Sequence, residues 1–155
     1  MSTGKKAGIA GGVFAAAVTV IAVYEGYVAR IADDGFGNPT YCYGETDNAA
    51  AARGRTFTKA ECLALLEKSL VKYDIGFMRC VTRPIPDSVH VAGISLAYNI
   101  GVAGVCHSAF VRKINEGDFK GACDALLGYN HANGRVVKGL TSRRQSERRI
   151  CLEGL

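Results

Sequence analysis

The feature that most constrains this chain is an uncharged apolar run, Ala7 to Tyr24, that ends directly on an acid, Glu25. Such a run has to be buried, either in a bilayer or in a protein core. Lys5 and Lys6 precede it, the positive-inside arrangement for a segment with its N-terminus in and its C-terminus out. As a helix, its eighteen residues reach roughly 27 Å, just short of a hydrocarbon core about 30 Å thick. The run is mostly Ala, Gly and Val, with Thr19 inside it and no Leu. Each Gly weakens a helix by about 1 kcal/mol relative to Ala. The segment can enter a bilayer but is held there weakly. Three readings stand side by side: a cleaved signal peptide with sites such as Ala15-Ala16-Ala17, a buried core helix, and a signal-anchor that can leave the membrane.

Six cysteines in 155 residues, Cys42, Cys62, Cys80, Cys106, Cys123 and Cys151, are widely spaced. No CxxC occurs, and His90, His107 and His131 fall in no zinc-like pattern, so no metal and no cofactor is expected. The even count fits three disulfides in an oxidising compartment; the alternative is six buried thiols in the cytosol. A net charge of +5 favours anionic surroundings, whether nucleic acid, anionic lipid or an acidic wall polymer. The cluster Arg143, Arg144, Arg148 and Arg149 reads as the solvated side of an amphipathic helix, or else as a phosphate-binding face. With no helix-turn-helix signature and no Trp, nucleic acid is not expected as a partner.

The length suits one compact domain. Residues 33 to 46 read as turns and a short hairpin, with Thr40 to Tyr43 as a strand. Thr58 and Glu61 form a capping box ahead of a helix whose apolar face is Cys62, Leu63, Leu65, Leu66 and Leu70. Asp87 is expected to cap a helix carrying Val89, Val91, Ile94, Leu96 and Ala97, broken by Gly101 and Gly104. Two short helices follow, Ser108 to Gly117 and Asp118 to Leu127. GYNHANGR reads as a polar loop. Ser142 with Gln145 is expected to cap a last helix ending near Cys151. The fold class is α+β, mainly helical with one small early β element.

Asp34 lies nine positions after Glu25, and Thr40 six after that. Glycoside hydrolysis uses two carboxyl groups in different environments. Glu25, at the end of an apolar helix, suits the acid that donates to the leaving oxygen. Asp34, in a polar Gly-rich turn, suits the ionised partner, and the Thr40 hydroxyl can orient a water. The spacing alone is common. The wider pattern, Glu25-Gly26, then Asp34-x2-Gly37-x2-Thr40-x-Cys42-x-Gly44-x-Thr46, closely resembles the active-site hairpin of the phage-type lysozymes, the endolysins of the T-even and lambdoid phages. FTKAEC, AYNIG, INEGDFKGACDAL and GLTSRRQSERRICLEG resemble that family's successive helices, so the likeness covers nearly the whole chain.

The resemblance implies a lysozyme-like fold with an N-terminal β-hairpin lobe. The implied activity is hydrolysis of the β-1,4 bond between N-acetylmuramic acid and N-acetylglucosamine in peptidoglycan, for host cell lysis. Carried over by position, Glu25 is the general acid, Asp34 the base or the stabiliser of developing positive charge, and Thr40 the holder of the attacking water. The resemblance is to inverting hydrolases, so the two carboxyl groups are expected about 6.5–9.5 Å apart. Tyr98, Asn99, Tyr129 and His131 are candidates for substrate contact. Where the family often has Trp, this chain has Pro39 before Thr40 and GYNHANGRVVKGL in the late loop.

The N-terminus resembles the signal-anchor-release subclass of these endolysins. That implies a segment, residues 1–24, followed by a catalytic domain, residues 25–155. Tethered N-in, C-out through residues 7–24, the chain would hold Glu25 at the inner-membrane surface, away from Asp34. Release into the periplasm would follow collapse of the membrane potential by a holin or pinholin. Residues 1–24 hold no Cys, so thiol exchange with the anchor is unavailable as the switch. Order along the family-like elements suggests the pairs Cys42–Cys62, Cys80–Cys106 and Cys123–Cys151. The enzyme is expected to act as a monomer. A non-catalytic exported peptidoglycan-binding protein of the same shape is the alternative.

Overall fold

The computed structural model describes residues 11–33, 37–47 and 49–155. Its first element is helix α1, Gly11–Glu25. Val13, Ala17, Val18 and Ile21 are buried on one stripe of it, at the i, i+4, i+8 spacing that shares a helix face. Gly26 ends the helix. Its φ of 73° is left-handed and its N–H donates to the Ala22 carbonyl at 3.2 Å, a glycine cap that leaves Glu25 as the last helical residue.

The chain then turns into a two-stranded antiparallel hairpin, β1 (Val28–Asp33) and β2 (Pro39–Cys42). Ala32 pairs with Thr40 and Asp33 with Pro39, and an irregularity lies between Val28 and Ala32. The hairpin therefore begins earlier than the turn-rich composition of 33 to 46 suggests. A short helix α2, Ala49–Ala52, follows.

Helix α3, Lys59–Arg79, starts on the expected capping box: Glu61 N–H donates to the Thr58 hydroxyl, and the Thr58 N–H to the Glu61 carboxylate. Helix α4, Asp87–Cys106, differs in its start. Pro86 stands at the cap without a side-chain bond, and Asp87 is already helical. Gly101 kinks α4 with φ 83°, whereas Gly104 stays helical. Helices α5 (Ala109–Glu116) and α6 (Phe119–Ala125) are capped by Ser108 and Asp118, with Gly117 left-handed between them.

The expected polar loop contains a small hairpin, β3 (His131–Ala132) with β4 (Arg135–Val136). Its turn residues Asn133 and Gly134 both have positive φ, the form an Asn-Gly turn takes. The last helix, α7 (Lys138–Glu153), begins ahead of Ser142, which is an interior residue.

The core has two parts. One gathers α1, β2 and the first half of α3 with Val91 and Ile94 of α4. The other joins Phe77 to Val89, Leu96 and Ala97 of α4 and to α5, α6 and α7. Helix α4 contributes to both parts, which explains why it is apolar around most of its circumference. By length and composition it could cross a membrane; here it is the central helix. Disulfides join Cys42 to Cys62, Cys80 to Cys106 and Cys123 to Cys151. The architecture is mainly helical with a small hairpin lobe, an α+β arrangement.

Candidate active site

Glu25 occupies the C-terminal end of α1, where helix polarity disfavours an anion. Arg143 of α7 offsets this: its Nη1 donates to Glu25 Oε1 at 2.6 Å. The other carboxylate oxygen faces the turn after β2. A Cβ placed on Gly44 would lie 3.1 Å from Glu25 Oε2, and Gly44 has φ 75°. Glycine is favoured there for both reasons. Thr40 is half-buried on the strand that leads into this turn. Asp34 lies outside the described residues, and so does its separation from Glu25.

Arg143 belongs to a buried polar network. Its Nε contacts Glu147 Oε1 at 3.3 Å and its Nη2 the Ser95 carbonyl at 3.3 Å. Glu147 also accepts from the Ser95 hydroxyl at 2.5 Å and from Arg144 Nη2 at 2.9 Å. Burial pushes the Glu147 carboxyl up and the Arg144 guanidinium down, while their mutual attraction opposes both shifts. The solvated-face reading of the arginine cluster is thus corrected. Arg143 and Arg144 are buried, and only Arg148 and Arg149 of the four face outward, pairing with Asp124 and Glu153. A signal was present in the sequence. Glu147 and Arg144 precede Cys151 by four and seven residues, so a buried Cys151 puts all three on one helix face.

Tyr24 ties the end of α1 to α7 as well. Its hydroxyl donates to Ser146 Oγ at 2.5 Å, and the Arg143 guanidinium lies 5.7 Å from its ring centre.

Glu25 and Arg143 line a pocket with Tyr24, Asn99, Val137, Gly139 and Leu140. Asn99 and Leu140 also line a neighbouring pocket of about 400 Å³ with Tyr129 and His131. Asn99 and Leu140 thus lie between the pocket of Glu25 and the pocket of Tyr129 and His131. Tyr129 is anchored there by the Ala109 N–H, which donates to its hydroxyl at 2.8 Å, and His131 is exposed on β3. Tyr98 sits elsewhere: its hydroxyl donates to the Tyr43 carbonyl at 2.6 Å, beneath the Gly44 turn. Burial, then the nearby Glu25 carboxylate, pushes that hydroxyl well above the usual phenol range. Among the described residues no group of His, Cys, Asp or Glu could hold a metal ion.

Comparison with known proteins finds likenesses in both sequence and fold. The family model for phage lysozyme matches residues 22–147. A SAR-endolysin of Enterobacteria phage P21 is 44% identical over 115 residues, covering 74% of this chain and 69% of that protein. Among solved structures, the muramidase domain of SpmX from Asticaccaulis excentricus superposes with a TM-score of 0.80 at 28% identity, covering 88% of this chain and 95% of that one. A mutant form of P22 lysozyme superposes with a TM-score of 0.78 at 28% identity, over 88% and 94% of the two chains.

Proposed function

The chain belongs to the phage lysozyme family, and from that premise we propose how its own residues perform the family's work. It is a muramidase, a glycoside hydrolase that cuts peptidoglycan in host cell lysis. Glu25 is the general acid. Arg143 occupies Oε1, so Oε2, on the Gly44 side, carries the proton to the leaving glycosidic oxygen. Asp34 takes a proton from water held by Thr40, and that water attacks the anomeric carbon with inversion; alternatively Asp34 stabilises the positive charge as the bond breaks. Asn99, Tyr129 and His131 bind the glycan, and the rings of Tyr129 and His131 take the place of the Trp often found in relatives.

Residues 1–24 act first as a signal-anchor, N-in and C-out, and residues 25–155 as the catalytic domain outside. Release depends on a holin or pinholin and delivers a periplasmic monomer. The packing of α1 supports this reading. Val13, Ala17, Val18 and Ile21 are apolar enough for lipid and equally suited to the core they occupy. Lipid tails and a protein core are similarly apolar, so exchanging one for the other changes the side-chain free energy little. The weak anchor can therefore be exchanged for a docked helix.

The observation that carries the catalytic reading is the seat of Glu25, at the end of α1 between Arg143 and Gly44 and on the wall of a pocket. The test is turbidity loss of outer-membrane-permeabilised Gram-negative cells by detergent-free protein beside Glu25→Gln. The parent clears the cells and the mutant does not. Clearing by both removes Glu25 from the mechanism, and clearing by neither points to a binding protein of lysozyme shape.

A further inference from the structure

Glu25 is held from one side by a charge and from the other by a backbone turn with no side chain. Arg143 fixes Oε1, but the turn at Tyr43 and Gly44 faces Oε2 at close range. That turn belongs to the hairpin lobe, whereas Arg143 belongs to the helical lobe. A movement of the hairpin lobe alone changes the room at Oε2. Something has to hold the height of the turn relative to the helices.

Across this junction, the Tyr98 hydroxyl of α4 donates to the Tyr43 carbonyl. Tyr98 in turn packs edge-on against Tyr73 of α3, with ring centres 4.9 Å apart. On the other side of the turn, the Tyr43 ring lies 6.2 Å from that of Tyr27, two residues after Glu25. The Tyr98 oxygen also lies 3.8 Å from where a Gly44 Cβ would stand. The Tyr98 phenol and the Glu25 carboxylate thus both border the Gly44 position.

We infer that Tyr98 is a positioning residue for the hydrolysis: its hydroxyl fixes the Tyr43–Gly44 peptide, and the bare Gly44 turn then sets where Glu25 Oε2 stands. The inference rests on Glu25 being the general acid. Tyr98 acts through the backbone and does not touch the glycan, in contrast to the substrate contact expected of it. The Tyr98 hydroxyl keeps its proton across the working pH range, because burial and the neighbouring Glu25 carboxylate both oppose its loss. It therefore remains a donor throughout.

The test measures kcat and KM on soluble peptidoglycan for the full released chain, for Tyr98→Phe, for Gly44→Ala and for the two combined. Tyr98→Phe removes one oxygen and leaves the ring packing with Tyr73. It is expected to lower kcat about fivefold to tenfold, with KM nearly unchanged, since one hydrogen bond sets the geometry. Gly44→Ala is expected to lower kcat as well, and the double mutant to lose less than the product of the two, because both act through one turn. A kcat for Tyr98→Phe equal to the parent's overturns the inference. So does a raised KM at unchanged kcat, which would make Tyr98 a glycan contact. If Tyr98→Phe fails to fold, as seen by lost near-UV circular dichroism, Gly44→Ala decides: an unchanged kcat there overturns the inference. Glu25→Gln, measured alongside, separates the two levels. An active Glu25→Gln removes the general-acid reading and this inference with it, whereas an inactive one beside an unimpaired Tyr98→Phe removes this inference alone.

Discussion

At the scale of the residue, the site turns on how one carboxylate is held. Arg143 reaches Glu25, Glu147 and the Ser95 carbonyl at once, which a planar guanidinium can do and an ammonium cannot. Removing it leaves the buried Glu147 and the part-buried Glu25 with fewer donors. Arg143→Met is expected to destabilise the protein by about 3–5 kcal/mol and to impair hydrolysis; a lowered urea midpoint and a slowed turbidity assay check this, and an unchanged midpoint contradicts it. The place of Glu25 at the end of α1 was legible in the sequence, because the apolar run stops on that acid. The burial of Arg143 was less so: the Cys151 face picks out Arg144 and Glu147, but the partner of Arg143 lies 118 residues away and shows only in the fold.

At the scale of the element, α1 is the unusual part. Its inward stripe is small at the centre: Ala17 is fully buried against a helix bundle in which α1 meets α4 and α3. Its outward residues include Val23, 72% exposed, which a purely structural helix would not need to be apolar. Ala17→Leu overfills the docking site, at about 1–3 kcal/mol, and makes the segment more favourable in lipid. After detergent removal in the presence of liposomes, this variant is expected to remain with the vesicles more than the parent does. Equal partitioning would show that docking of α1 plays no part in release. Elements with a side-chain cap, such as α3, α5 and α6, were legible from their Thr, Ser and Asp. The start of α7 was not, because Val137 stands at its cap without a side-chain bond. The β3–β4 hairpin was also missed, since its Asn133-Gly134 turn signal has no alternating apolar strands beside it.

At the scale of the whole molecule, the disulfides and α1 divide the labour. Cys42–Cys62 ties the hairpin to α3, Cys80–Cys106 the ends of α3 and α4, and Cys123–Cys151 α6 to α7. Each such link stabilises by about 2–4 kcal/mol. None of them reaches α1, which among the described residues is held by packing, by Tyr24 and by the Glu25–Arg143 pair. A stapled body with α1 elsewhere would lack one wall of its core and Glu25 together. The central claim is that α1 is membrane anchor in one state and seat of Glu25 in the other. The most direct measurement is the rate of soluble peptidoglycan hydrolysis by the same intact chain, tethered in liposomes with its domain outward and then released into detergent-free buffer. The account predicts a rate at least about a hundredfold lower while tethered, as expected when a reacting group is displaced. Equal rates in the two states would contradict it.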